Sequence, residues 1–493
     1  MNTGNFESIQ IMIEAQAWRN QPLHIRLYHA FRQLVISGAL AEGEKLPSAR
    51  ALAARLNLSR DTVENAYSQL QRDKFMIRKQ GAGSFASRQG MPQIQGQHGL
   101  PLVSRPIPAL SARWQPIAER AVSFDARRLQ TFTLGLAETR NFPQAVWQHF
   151  ARQVQRERSH TLMLNSDPQG EPELRQQIAH YLNFERGAQV DAEQIVIVSG
   201  ARQAFWLCGQ LLAEPGQSIA MENPGYPGAR QAFTAAQLNI LPVDIDENGV
   251  CVEKLPPAPL VYVTPSHQFP SGHLLSLARR NALLDWAQTH DAWIIEDDYD
   301  SEFHYNGSPI ACMQGLDRQQ RTLYVGTFSK TLYPGLRIGY LVVPAALAEH
   351  FAAARNLLDG ATPGLTQLTL ARFIESGHFA AHIRTMRSMY AVRQACLAQA
   401  ITRHLSEWVT PVITAGGLQM PCWLHADINE EQTLNAARQA GLTIAGMRQF
   451  WLTHPAPAGW LLGFAAFTPY EIEQGVIRLR AALTAGNVRQ AGS

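Results

Sequence analysis

The chain has little that would tie it to a membrane, an oxidising compartment or a metal. No apolar run approaches the ~18 residues that a bilayer-spanning helix requires. The first eighteen residues hold Glu7 and Glu14 with no Lys or Arg ahead of Arg19, unlike a secretion signal. Cys208, Cys251, Cys312, Cys396 and Cys422 are the 5 cysteines among 493 residues; isolated, odd in number and never in CxxC spacing, they support neither a disulfide framework nor a zinc site. Charged residues make up only 17% against 46% hydrophobic, which excludes a disordered tail protein and leaves apolar material for a large core. A repeat with a period of roughly 20 to 50 residues is also missing, which removes solenoids and propellers. A cytoplasmic protein without a membrane partner is expected. At about three times the ~150-residue domain norm, it should hold one large domain and something smaller.

The charge that is there lies unevenly. Residues 22–88 carry eleven Lys/Arg against five Asp/Glu, a balance of +6 in a chain whose total is +3, so the rest is mildly acidic. Such a basic segment attracts a polyanion. Within it Leu27, Phe31, Leu34 and Val35 recur at helical spacing and stop at Ser37-Gly38. Ser48 then opens a short helix, Ala49 to Leu56. After Asn57-Leu58, Ser59 caps a second helix whose inward face is Val63, Ala66, Tyr67 and Leu70. A β-pair, FMIRK and SFAS, follows around Gln80-Gly81-Ala82-Gly83. Helix, turn, capped helix and hairpin spell a winged helix-turn-helix. The first turn of the second helix puts Arg60, Asp61 and Thr62 where a major-groove helix presents base-reading side chains. Arg50 and Lys79 can reach phosphates or base edges, and Gly81 and Gly83 let the wing tip approach a duplex backbone. Asp61 is dissonant, since a carboxylate repels phosphate; it either accepts from a cytosine amino group or caps its own helix.

The chain divides into an N-terminal extension (1–21), this winged head (22–88), a Gln- and Pro-rich linker (89–125) and a body (126–485). In the body, the runs QIVIV, PLVYVT, AWIIED, TLYVG and RIGYLVV alternate with longer helical stretches. The fold class is therefore α/β with a mostly parallel sheet. Beyond about residue 371 a helix (379–405), short strands (418–424, 460–464) and a last helix (469–483) suggest a smaller α+β lobe.

Three features of the body belong together. One strand ends in Asp297-Asp298-Tyr299, another is followed by Thr327-Phe328-Ser329-Lys330, and Arg337 lies seven residues beyond that lysine. Ligands in open α/β sheets bind beyond the carboxyl ends of strands, where these groups can converge. Pyridoxal 5'-phosphate needs an amine for a Schiff base, a carboxylate against its ring nitrogen, a phenol near its ring oxygen and a cradle for its phosphate. Lys330, Asp297, Tyr299 and Arg337 supply these in turn. Gly200, Ala201 and Arg202 open a helix after QIVIV-Ser199, and such an N-terminus favours an anion. Any one of these residues has an ordinary structural explanation; the set together does not.

The pieces LPSAR, SRDTV and QGAGSF resemble the GntR-type winged-helix domain of bacterial transcription regulators. That likeness implies DNA contacts from Arg50, Arg60, Thr62, Gly81 and Gly83, with Asp61 standing where threonine is commoner. From about residue 130 to 480 the wording DPQGEPELR, SGARQAF, ENPGYPG, VTPSHQFPSG, IIEDDYDSEF and GTFSKTLYPGLRIGY is similar to the MocR subfamily, in which the winged head is fused to a fold-type I aminotransferase-like domain. The resemblance implies that Lys330 bonds the cofactor aldehyde, Asp297 pairs with the ring nitrogen, Tyr299 bonds the ring oxygen and Tyr226 stacks on the ring. It gives Arg337 and the 200–202 turn to the phosphate, with Thr327 and Ser329 as weaker phosphate contacts. It also implies a homodimer, head to tail.

Three departures from the enzymes stand out. Phe269 replaces the asparagine before the Pro-x-Gly turn. Asn165 replaces the tyrosine that reaches a partner's phosphate, and Leu461 replaces the arginine that clamps a substrate carboxylate, which a leucine cannot do. Arg448 is either a substitute clamp or a surface residue. The expectation is a transcription regulator on promoter DNA whose effector is a vitamin B6 vitamer, the cofactor itself, ahead of an amino compound. A working aminotransferase with an accessory head and a scaffold without cofactor are the alternatives.

Overall fold

The structure, a computed structural model, describes residues 3–14, 19–90, 111, 114, 130–305 and 311–486. Almost all of the stretch expected to be a linker lies outside them. The chain separates into two compact units, Met1–Pro108 and Ala109–Ser493.

In the first unit, α1 (Thr3–Glu14) precedes α2 (Leu23–Ser37), β1 (Lys45–Leu46), α3 (Ala49–Leu56), α4 (Arg60–Arg72), β2 (Met76–Lys79) and β3 (Gly83–Ala86). Ser48 accepts the Ala51 amide and Ser59 the Thr62 amide, so both helices of the expected motif start at a hydroxyl cap. Asn57, in the left-handed region at φ 53°, turns the chain between them. The strands pair antiparallel in the order β1-β3-β2. Neither β1 nor α1 is announced by the sequence pattern. Yet Phe6, Ile9 and Ile13 of α1 are buried in the same apolar cluster as Leu27, Phe31, Leu52 and Val63. The Asn5 amide also donates to Ala39, and the Arg55 guanidinium sits 3.8 Å over the Phe6 ring.

The second unit holds an eight-stranded sheet. Its strands in chain order are β4 (Ile195–Val198), β5 (Ser218–Asn223), β6 (Asn239–Asp246), β7 (Gly249–Val250), β8 (Leu260–Val263), β9 (Trp293–Asp298), β10 (Thr322–Thr327) and β11 (Gly339–Val342). The spatial order is β4-β11-β10-β9-β8-β5-β6-β7. The run β10-β9-β8-β5-β6 is parallel, while β11 is antiparallel to both neighbours. The helices Ala201–Leu212 and Ala345–Asp359 cover one face through Phe205 and Phe351, and Leu277–Thr289 covers the other through Leu283 and Trp286. A smaller antiparallel sheet follows the long helix His378–His404: β12 (Val409–Pro411), β13 (Gln419–Leu424), β14 (Ala445–Gly446) and β15 (Gly459–Gly463), ordered β12-β13-β15-β14.

Strand β9 explains how three successive acids can be buried. Side chains alternate across a strand, so Glu296 and Asp298 share a face and Asp297 takes the other. Glu296 accepts from the amides of Met313 and Gln314 at 2.8 and 3.0 Å. Asp298 accepts from Arg186, Tyr324 and Ser301 at 2.9, 2.6 and 2.9 Å. Two of the acids are thus structural, and the third is left to its own face.

Ile9→Ala tests whether α1 belongs to the head. Loss of a fully buried isoleucine side chain is expected to cost about 2 to 5 kcal/mol. Chemical denaturation of the whole protein would show the head transition earlier; an unmoved transition would detach α1 from that core.

Candidate cofactor site and DNA interface

Strand β9 delivers Asp297 to a position where only one of its oxygens is satisfied. Oδ2 accepts the Tyr262 hydroxyl of neighbouring β8 at 2.6 Å, while Oδ1 is buried with no partner. Burial pushes this carboxyl up to about 7; Asp298 and Asp300 push the same way, against the Tyr262 hydrogen bond and Lys330. Lys330, beyond the end of β10, is partly buried and its Nζ donates to the Gly135 carbonyl at 2.7 Å. Burial lowers its pKa, opposed by Asp300 and Asp297. The Tyr299 hydroxyl donates to the His267 carbonyl at 3.0 Å, and burial drives its pKa well up.

The anion end is built around Gly200, at φ 113°, which leads into the helix Ala201–Leu212 without a side-chain cap. A Cβ there would lie 3.3 to 3.4 Å from the Arg337 guanidinium, so the glycine leaves room for the arginine against the turn. Arg337 itself is exposed and left-handed, φ 53°. Arg202 is exposed on the same first turn, and its charge is felt by Lys330. Ser199 and Gln203 brace the turn through a shared Asp359 oxygen, both at 3.1 Å. The Ser329 amide donates to the Thr327 hydroxyl at 3.2 Å.

Tyr226 meets Phe269 edge to face at 5.3 Å, and Phe269 in turn meets Phe450 at 5.1 Å. Phe269, Met447, Phe450 and Leu461 form one buried apolar cluster against which Tyr226 and Tyr299 pack. The position of the expected carboxylate clamp is thus a fully buried leucine on β15. Arg448 is exposed, its Nε donating to the Ala456 carbonyl at 3.2 Å. Asn165 is exposed beside Met163 and Leu164. Tyr262 escaped sequence reasoning because its role depends on which strand lies beside β9, and that order is not written along the chain.

These residues fit pyridoxal phosphate. The orphaned Asp297 oxygen is what a protonated ring nitrogen requires, the Gly200 turn with Arg337 suits a dianion, and Lys330 is an amine of lowered basicity.

On the head, Arg50, Arg60 and Lys79 are exposed, and Thr62 is half-buried with its hydroxyl 2.8 Å from that of Ser59. Lys79 lies 5.2 Å over the Phe85 ring. Gly81 and Gly83 both have positive φ, 75° and 109°. Ser59 accepts the Thr62 amide, so the cap is the serine and Asp61 stands exposed beside Arg60. Lys45, one of the basic residues of the head, has a side chain that reaches within 3.3 Å of where a Gly83 Cβ would be.

Fold and site together define a winged-helix DNA-binding head joined to an aminotransferase-like body. Residues 23–85 match the bacterial regulatory proteins of the gntR family, and residues 133–432 match aminotransferase class I and II. The probable rhizopine catabolism regulatory protein MocR of Rhizobium meliloti is 32% identical over 94% of this chain and 94% of its own. The pyridoxine biosynthesis transcriptional regulator PdxR of Corynebacterium glutamicum is 29% identical over 90% and 91%. Among solved structures, the α-aminoadipate aminotransferase LysN of Thermus thermophilus, complexed with N-(5'-phosphopyridoxyl)-L-leucine, matches with a TM-score of 0.67 and 25% identity, covering 72% of this chain and 92% of LysN. The chain belongs to the MocR-type branch of the GntR transcription regulators, with an aminotransferase class I and II body.

Asp297 gives the ligand-free protein a pH signature. An acid whose folded value is raised from 3.8 to about 7 holds its proton more tightly folded than unfolded, so stability falls as pH rises through that window. Asp297→Asn abolishes this contribution. Melting without cofactor is expected to favour the variant increasingly across the window; a constant difference would mean the carboxylate is not held in its uncharged form.

Proposed function

We propose that this regulator carries pyridoxal phosphate on Lys330 and alters its grip on promoter DNA according to the occupancy of that site. The observation that carries the reading is the buried, unpartnered Oδ1 of Asp297 in the same site as a lysine of lowered basicity. When bound, the cofactor supplies an aldehyde for a primary amine and a ring with a basic nitrogen, an acidic oxygen and a phosphate. Lys330 would take the aldehyde, Asp297 hold the proton on the ring nitrogen, and Tyr262 orient Asp297. Tyr299 would exchange the His267 carbonyl for the ring oxygen, and Tyr226 stack on the ring. Gly200, Ala201, Arg202 and Arg337 would hold the phosphate, with Ser329 and Thr327 beside them.

The favoured effector is the B6 vitamer itself. Leu461, with Phe269 packed against it, puts apolar surface where an amino acid's carboxylate would need a cation, which argues against steady transamination. That the relative PdxR is named for pyridoxine biosynthesis supports the same choice. DNA contact would run through Arg50, Arg60, Thr62, Lys79 and the wing glycines Gly81 and Gly83, in the cytoplasm, from a head-to-tail homodimer presenting two heads.

Two measurements test this. The purified protein loaded with pyridoxal phosphate should absorb at ~420 nm and Lys330→Ala should not; equal spectra would remove Lys330 from the role. Arg60→Ala should weaken specific DNA binding by about 1 to 3 kcal/mol per head while leaving that band intact. Unchanged affinity would place the reading surface elsewhere.

A further inference from the structure

We propose that His267 and Asp300 form a positioning pair for the lysine site: Asp300 supplies an acid near Lys330, and His267 fixes that carboxyl group in place. The inference deepens the cofactor reading and rests on it.

His267 lies on the turn after β8 and Asp300 just past the end of β9. The imidazole Nδ1 and Asp300 Oδ1 are 2.8 Å apart, with side chains only 3% and 1% exposed. Their remaining polar atoms, His267 Nε2 and Asp300 Oδ2, are buried without partners. Such a pair is costly to bury, and a carboxylate screened by one neighbour in a water-poor interior acts strongly on nearby charges.

The fold spends backbone on enclosing it. A Cβ on Gly416 would come within 2.6 Å of His267 Nε2, and one on Gly417, at φ 91°, within 3.2 Å of Asp300 Oδ2. That loop, between β12 and β13, is fastened by the Tyr305 amide to Ala415 at 2.8 Å, the Tyr305 hydroxyl to Gly417 at 2.5 Å and the Gly417 amide to Phe303 at 2.9 Å. The smaller lobe thus closes over a pair that the larger one carries.

The direction of the effect follows from the charges present. Burial disfavours the cationic form of Lys330 and Arg202 works the same way; Asp300 is the strongest opposing charge, ahead of Asp297. Around Asp300 itself stand His267, Tyr299 and Tyr305, with the His304 ring stacked on His267 at 6.0 Å. Both acids therefore act on the lysine nitrogen, Asp300 more strongly than Asp297.

The test is a pH titration of the ~420 nm band in the full-length, cofactor-loaded protein, which loses intensity as the lysine-linked nitrogen gives up its proton. Asp300→Asn is expected to lower the midpoint by about one pH unit, and Asp300→Glu to restore at least half of that. Asp300→Ser, smaller and still able to accept from the imidazole, serves if the asparagine variant does not fold. A midpoint within about 0.2 unit of the parent's in the charge-free variants, or a glutamate variant that behaves like asparagine, overturns the pair alone. Wild-type protein without the band overturns the cofactor reading and the pair with it.

Discussion

Burying the Asp297 carboxylate on the sheet face that carries Ile295 and Tyr262 is a constraint around which the body is arranged. A buried acid with one free oxygen is unfavourable unless something cationic completes it. Of the flanking acids, Glu296 has both oxygens met by amides, and Asp298, though its Oδ1 is also unpartnered, has the Arg186 guanidinium and two hydroxyls on Oδ2. Asp297 has only Tyr262. The strand order makes this possible, since β8 must lie beside β9 for the phenol to reach, and β10 must lie on the other side to bring Lys330 to the same edge.

The apolar cluster of Phe269, Met447, Phe450 and Leu461 gives the site its character. In an enzyme that exchanges amino groups, the region beyond the ring must admit and hold a carboxylate. Here it is packed with side chains that contact Tyr226 and Tyr299. Under the proposed reading, a site packed in this way, with Leu461 where a carboxylate clamp would stand, is suited to reporting on a ligand rather than consuming one. That agrees with a family whose heads bind DNA.

Much of this was legible along the chain, for physical reasons that differ between its parts. The winged head was readable because Ser48, Asn57, Ser59, Gly81 and Gly83 are local devices whose turn and cap chemistry acts over a few residues. The five strands of continuous apolar residues were readable because both their faces are covered. By contrast β5 has only Ile219, Ala220 and Met221 in a row before the buried polar pair Glu222 and Asn223, and β6 contains Pro242 and is buried mainly at Val243, so neither gave a continuous run. The helix α1 buries Phe6, Ile9 and Ile13 at helical spacing, but the exposed Ile11 blurs that stripe along the chain, and its place against Leu27 and Phe31 is decided by tertiary packing. Lys330, Asp297, Tyr299 and Arg337 could be named because their chemistry is distinctive. The supporting Tyr262, His267, Asp300 and Gly135 could not, because each acquires its role from a neighbour distant in sequence.

The central claim is that occupancy of the lysine site changes the grip of the head on DNA. Titrating pyridoxal phosphate into full-length protein bound to a labelled fragment of its own upstream DNA, with affinity and absorbance followed together, tests it most directly. The account expects DNA affinity to change over the same concentration range in which the cofactor band grows. Saturation of that band with no change in affinity would contradict it.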